Sequence, residues 1–336
     1  MNGRQRILAR VRHESVDCLP LMPITMMFAG DNAGIAYRDY ATDAEKLAEA
    51  QLRVAEEYGF DYVSAISDPA REATDLGATV EFFDNQPPAI VETKALLEDK
   101  ARLASLDLPD PHAHGRMSDR LKAVRILKEK AGADLLVEGW VEGPVAMAAD
   151  LRGLNRLMLD FYDDPEFVET LMDYAVRMEI AFAQAQIEAG ADLIGIGDAA
   201  ASLVGPKLYE RFTLPFEKRL VRGIQGLGAL VRLHICGNTR RIVRGMGETG
   251  SQIVDLDFLT PLSEARAAMG PDQVLLGNID PVRVLRDGSP ESIETALAEC
   301  YAQAGPQYIV GAGCEIPRGT PPENVRAMAR FARTRN

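Results

Sequence analysis

Cysteine is scarce in this chain. Four thiols, Cys18, Cys236, Cys300 and Cys314, in 336 residues exclude a disulfide framework, which a protein of this size does not need in order to bury a core. Long apolar runs are missing as well, and no stretch approaches the roughly 20 residues of a membrane span. Positive charge is in deficit. The balance of 37 Lys and Arg against 50 Asp and Glu leaves a net charge of −13, which works against attraction to nucleic acid or anionic lipid. The basic N-terminus, Met1–His13 (MNGRQRILARVRH), lacks the roughly 7–15-residue apolar centre of a secretory signal. A cytoplasmic location is the expectation, with a short organellar presequence as the alternative. No Pro-, Gly- or Ser-rich linker divides the sequence, so residues 1–336 are expected to form a single domain with elaborated loops.

What is present is a repeated junction: a helical pattern, a Gly, then a short aliphatic run. It reads EEYGFDYVSAI, EKAGADLLVEG, EAGADLIGIG, QGLGALVRLHIC, GETGSQIVDLD, AAMGPDQVLLGN and AQAGPQYIVGAG. Each Gly suits a helix C-cap with positive φ, and each aliphatic run suits a buried strand. The Pro-bounded run Leu19–Ile24 adds a candidate first strand. Eight strands alternating with helices predict an α/β fold, a (β/α)8 TIM barrel preceded by an N-terminal helix. Capping boxes are expected at Thr42-Asp43-Ala44-Glu45 and Thr320-Pro321-Pro322-Glu323. Two stretches interrupt the rhythm. Residues 79–111 read as a hairpin (TVEFF, AIVE) and a loop (LPDPHAHG), and Gly143–Asp164 reads as a partly helical insertion after the third strand.

Barrel enzymes place their reactive groups at the C-terminal strand ends. Those ends supply Asp68, Asp198 and Asn278, after the second, fourth and seventh strands, as candidate catalytic groups. They also supply a candidate metal set. His234 and Cys236 lie two apart on the fifth strand and leave it on one face. Asp257 ends the sixth strand, and Cys314 follows the eighth. One His, two Cys and one carboxylate suit tetrahedral Zn2+, because soft thiolates select zinc over hard cations. Asp255 is the fallback for the carboxylate. Cys18 and Cys300 have no such context and are expected to be core thiols. Trp140 suits either a pocket wall or a packed aromatic. Gly311-Ala312-Gly313 is expected to be a tight turn presenting Cys314.

A second motif is deceptive. Asp110-Pro111-His112-Ala113-His114-Gly115 fits the Asp-x-His-x-x-Gly spacing with which corrinoid-binding domains offer an axial His. Here it lacks the preceding hydrophobic strand, the later Ser-x-Leu and any Gly-Gly pair, so a solvent loop is expected.

The stretches RQRILARVRHESVDCLPLMP, ISDPAREATDLGATVEFFDNQPP, DLDF, LGNIDP and IPRGTPPENV resemble the uroporphyrinogen decarboxylase superfamily from end to end. The resemblance independently implies a (β/α)8 barrel. It departs from the decarboxylase branch in two places. The loop after the first strand carries Arg38 alone where decarboxylases have a Met-Arg-Gln-Ala-Gly-Arg motif. Gly313-Cys314-Glu315 stands where they have Gly-His-Gly. Losing those arginines removes the charge that would hold a polycarboxylate tetrapyrrole. The cobamide-dependent methyltransferase branch instead carries His-x-Cys on the fifth strand and a Cys after the eighth, matching His234, Cys236 and Cys314.

That likeness implies a zinc-dependent methyl transfer between a corrinoid and a small-molecule thiol, methyl ether or other donor or acceptor. The corrinoid would arrive as methylcobalamin or on a separate corrinoid protein. The alternatives are a decarboxylase of the uroporphyrinogen type and a non-catalytic corrinoid- or metal-binding module.

Overall fold

A computed structural model describes residues 1–335. Seven strands form one parallel sheet, β1 (Tyr62–Ser64), β4 (Leu136–Glu142), β5 (Leu193–Gly197), β6 (Leu230–Ile235), β7 (Ile253–Leu256), β8 (Val274–Ile279) and β9 (Tyr308–Ala312), in that spatial order. Between β1 and β4 a short antiparallel ribbon pairs β2 (Val80–Glu81) with β3 (Ala89–Ile90), as TVEFF and AIVE suggest. Helices alternate with the parallel strands, and the result is a (β/α)8 barrel in which the first of the eight staves is incomplete. Among the described residues no helix is long and apolar enough to cross a membrane.

The incomplete stave corrects the expectation for Leu19–Ile24. Only Leu21 pairs in the ladder, through a parallel bridge to Val310. Pro20 and Pro23 flank it, and neither has an N–H to donate, so a longer strand cannot form. The segment still closes the ring. Met22 N donates to Val310 O (2.9 Å), Val310 N to Pro20 O (2.8 Å), and Asp61 N to Leu21 O (3.0 Å). Asp61 clamps this seam, because its carboxylate accepts from Leu21 N (2.7 Å), Arg6 (2.5 Å) and Arg333 (3.0 Å). The N-terminal helix Gly3–Val11 and the last helix Pro322–Arg333 are thereby tied to one buried charge.

Local signals mostly act as read. Gly59 and Gly190 end their helices with φ of 68° and 118°. Gly132 does not: its φ is −64°, because the chain continues the helical turn, with Leu135 N donating to Ala131 O (2.8 Å). Neither expected capping box forms, and each helix begins one residue later than expected. Asp43, not Thr42, caps the helix Ala44–Tyr58, and Thr42 Oγ1 bonds back to Arg38 O instead. The last helix begins after Pro321, and Thr320 Oγ1 bonds Pro317 O. In both places the hydroxyl finds a nearer carbonyl than the helix amide. The insertion Gly143–Asp164 is more helical than expected, forming Pro144–Arg152 and Leu154–Asp163 with Gly153 between them.

Strand alternation places the site. On β6, Val231, Leu233 and Ile235 are fully buried apolar residues, and Arg232 and His234 alternate with them on the opposite face. Parallel register sets His234 opposite Gly197 on β5 and Asp255 on β7.

Candidate metal centre

Three of the four expected ligands converge at the C-terminal mouth. His234 Nε2 lies 2.8 Å from Cys236 Sγ, and Cys236 Sγ lies 3.4 Å from Cys314 Sγ. All three donor atoms fall within 4.8 Å of one another. The strand pleat presents the first two. Cys314 arrives on the turn after β9, where Gly313 N donates to Ile279 O (2.9 Å) and a Cβ on Gly313 would stand 2.4 Å from Phe258 N. Only glycine lets the backbone approach that closely, but Gly311 and Ala312 belong to β9, so of the expected turn Gly311-Ala312-Gly313 only Gly313 lies in the bend that presents Cys314.

Asp257 is not part of this group. Its two oxygens accept from the backbone amides of Gly237 (2.8 Å) and Leu259 (2.9 Å), so the carboxylate ties two loops together. Asp255 sits beneath the cluster. Its Oδ2 lies 3.1 Å from His234 Nδ1 and 2.7 Å from Arg232 Nη2, and Arg232 Nη1 reaches Glu138 Oε1 at 3.2 Å. With Nδ1 engaged, Nε2 is left facing the two sulfurs, the orientation a metal-binding imidazole needs.

Electrostatics favour a cation at this point. Burial opposes a charge on His234, yet Cys236 and Asp255 outweigh it and raise the imidazole well above its ordinary value. The hydrogen bond from Cys236 pulls Cys314 down to about 4, and the same bond pushes Cys236 up. Burial also works against ionised Asp255, but Arg232 and His234 hold it below the usual carboxylate range. A soft N,S,S donor set at these separations fits zinc, whose Zn–S and Zn–N bonds of about 2.3 and 2.0–2.1 Å span such gaps with small adjustments.

Beside the cluster lies a cavity of about 170 Å³, walled by Ile24, Met26, Ile66, Pro69, Trp140 and Ala199 and bordered by Asp68, Arg71 and Glu142. Trp140 is both pocket wall and packed aromatic: a Cβ on Gly195, its register partner, would stand 2.2 Å from the indole. The glycines of LIGIG make room for it.

Asp68 borders this cavity, but Arg116 chelates both its oxygens (2.7 and 2.5 Å). Burial pushes Asp68 up, and Arg116 outweighs burial and holds it below the ordinary carboxylate range. The pair therefore stabilises the fold above the unfolded carboxyl pKa of about 4 and loses that contribution as pH falls through the lower folded value. Arg116→Gln should cost about 3 kcal/mol at pH 7. That cost should shrink toward pH 4, where the unpaired carboxyl takes a proton. Urea denaturation at both pH values checks it, and an equal cost at each would refute the assignment.

The other two expected catalytic groups do not line the cavity. Asp198 accepts from Ala146 N (2.7 Å) and Val145 N (3.4 Å), holding the first turn of the helix Pro144–Arg152. Asn278 donates to the carbonyls of Asp257 (3.0 Å) and Thr260 (2.6 Å). Both strand-end polar residues satisfy backbone groups that the loops leave open. Asp198→Ala should lower stability by about 1–2 kcal/mol, the usual worth of a helix cap, without changing metal content. Metal analysis beside a urea titration separates the two effects.

Arg232, Arg71 and Arg116 escaped the sequence reading. Arg232 had a signal: a charge inside an aliphatic strand, two before His234, must share its face. The Asp110–Gly115 stretch is loop, with His112 and His114 exposed. Cys18 and Cys300 are buried and lie outside the cluster.

A parallel (β/α)8 barrel with a His, Cys, Cys cluster at its carboxyl mouth defines a barrel protein with a candidate metal site beside a small pocket. The chain belongs to the uroporphyrinogen decarboxylase (URO-D) family, whose profile matches residues 2–335. A methylcobamide:CoM methyltransferase of Methanosarcina mazei is 31% identical, covering 98% of this chain and 97% of its own length. A uroporphyrinogen decarboxylase of Streptomyces coelicolor is 27% identical over 90% of this chain and 84% of its own length. Among solved structures, a methyltransferase from Methanosarcina mazei superposes with a TM-score of 0.90 at 25% identity, covering 99% of this chain and 98% of that one.

Proposed function

We propose that this chain is a zinc-dependent methyltransferase that moves a methyl group from a corrinoid to a small-molecule thiol. The observation that carries the reading is the convergence of His234 Nε2, Cys236 Sγ and Cys314 Sγ beside a small apolar-walled cavity. Zinc held by these three would lower the pKa of a substrate thiol and keep its sulfur ionised at neutral pH. A methyl-corrinoid would supply the methyl group: the thiol would give up its proton, its sulfur would take the methyl, and the electron pair of the broken Co–C bond would stay with the corrinoid. The corrinoid comes as free methylcobalamin or on a separate corrinoid protein, because the Asp110–Gly115 loop lacks the features of a resident site.

The chain's own groups have defined tasks in this reading. Asp255 fixes the imidazole through Nδ1, and Arg232 fixes Asp255. Ile24, Ile66 and Trp140 keep water from the substrate sulfur. The decarboxylase alternative is disfavoured by Arg38, whose side chain is 55% exposed and turned 3.7 Å toward Asp84, leaving substrate carboxylates without that partner. Metal analysis of the purified protein should find one zinc per chain, and methylcobalamin absorbance should decay with a thiol present. Full activity in metal-free protein would overturn the proposal.

A further inference from the structure

We infer that the cavity beside the metal cluster selects an uncharged small thiol and discriminates against a thiol carrying a sulfonate or carboxylate. This rests on the methyltransferase reading and narrows its substrate. The charged residues bordering the cavity, apart from the cluster, are Asp68, Arg71 and Glu142. Each already has an ionic partner. Arg71 Nη2 lies 3.0 Å from Glu72 and 3.1 Å from Glu142, and its Nη1 donates to the Asp68 carbonyl. Asp68 is chelated by Arg116. Among the described residues, no cation bordering the cavity lacks a carboxylate partner.

An anionic tail would therefore enter an apolar-walled pocket with no free counter-ion, beside two carboxylates and the thiolate it carries. Burying an unpaired charge in such surroundings is costly. An uncharged tail meets Ile24, Ile66 and Trp140 and incurs no such cost. The volume of about 170 Å³ admits a short chain beyond the sulfur, so charge and not size sets the preference. The inference separates this chain from the CoM named for its Methanosarcina relative, since coenzyme M is 2-mercaptoethanesulfonate.

The test replaces zinc with cobalt(II) and titrates 3-mercapto-1-propanol, 3-mercaptopropionate and 2-mercaptoethanesulfonate, reading the sulfur-to-cobalt(II) charge-transfer band. Methyl transfer from methylcobalamin to each thiol is measured in parallel on the zinc protein. The neutral thiol should bind at least tenfold more tightly than either anion. Equal or tighter binding of an anion overturns the inference, whatever the activity. Intact selectivity with no methyl transfer overturns the functional reading and leaves the binding preference standing. A chain that takes up no metal overturns both. Asp68→Asn, which leaves Arg116 without its carboxylate, should narrow the preference several-fold. An unchanged preference in that variant would place the discrimination elsewhere and refute the charge argument.

Discussion

Replacing Cys314 with serine should remove stoichiometric zinc and methyl transfer together. Among the described residues the cluster has three convergent donors, and Asp257, the expected fourth, is committed to the amides of Gly237 and Leu259. Serine offers a hard hydroxyl that stays protonated at neutral pH where a thiolate is needed. Changes one shell further out commonly cost about 10–100-fold in metal affinity, so loss of a ligand should exceed the upper end of that range. Cys18→Ser and Cys300→Ser should leave metal content unchanged, because those thiols lie outside the cluster. Metal content by emission spectrometry and a melting curve distinguish ligand loss from unfolding. A Cys314→Ser protein that keeps one zinc per chain and its activity would sink the assignment.

The second large effect is expected at Arg232, which lies inside the barrel and is 0% exposed. Its guanidinium holds Asp255 at 2.7 Å and Glu138 at 3.2 Å, with Tyr62 and Trp140 rings 5.8 and 5.9 Å away. Arg232→Met fills much of the volume but strands two carboxylates in the barrel interior. Breaking a buried pair in this way costs about 3–5 kcal/mol, mostly the uncompensated charge that remains. The urea midpoint should fall accordingly, and zinc affinity should fall by about 10–100-fold because Asp255 loses its anchor beneath His234. Combining Arg232→Met with Glu138→Gln and Asp255→Asn should restore most of the stability without restoring metal affinity. A single Arg232→Met variant within about 1 kcal/mol of the parent would refute the role of Arg232 as the charge that holds Asp255 and Glu138.

Both predictions turn on residues of unequal legibility. Cys314 was readable, because a thiol just past a predicted strand end belongs at the barrel mouth. Arg232 is masked by its aliphatic run, although the period of two that pairs His234 with Cys236 also places Arg232 on their face. Asp68, Asp198 and Asn278 show the limit of the strand-end rule. A polar residue at that height can serve substrate, an arginine or the open amides and carbonyls of a loop, and sequence position does not distinguish these uses. Asp198 caps a helix, Asn278 braces a loop, and Asp68 is held by Arg116, a residue 48 positions away.

The sequence by itself determined the alternation of helix and strand, and with it the barrel, because hydrophobic periodicity and helix-ending glycines act over a few residues. It also determined that His234 and Cys236 share a face, since that follows from the pleat alone. The incomplete first stave was written in Pro20 and Pro23 and needed only stricter use of proline's missing donor. Tertiary structure decided which aspartate serves the site. Asp255 and Asp257 share a strand face and look equivalent in sequence, but inter-strand register sets Asp255 level with His234. Asp257 lies one pleat higher, where loop amides claim it. Register and loop closure bring together groups far apart in the chain, such as Cys236 and Cys314, separated by 78 residues and 3.4 Å, and no local propensity encodes that distance.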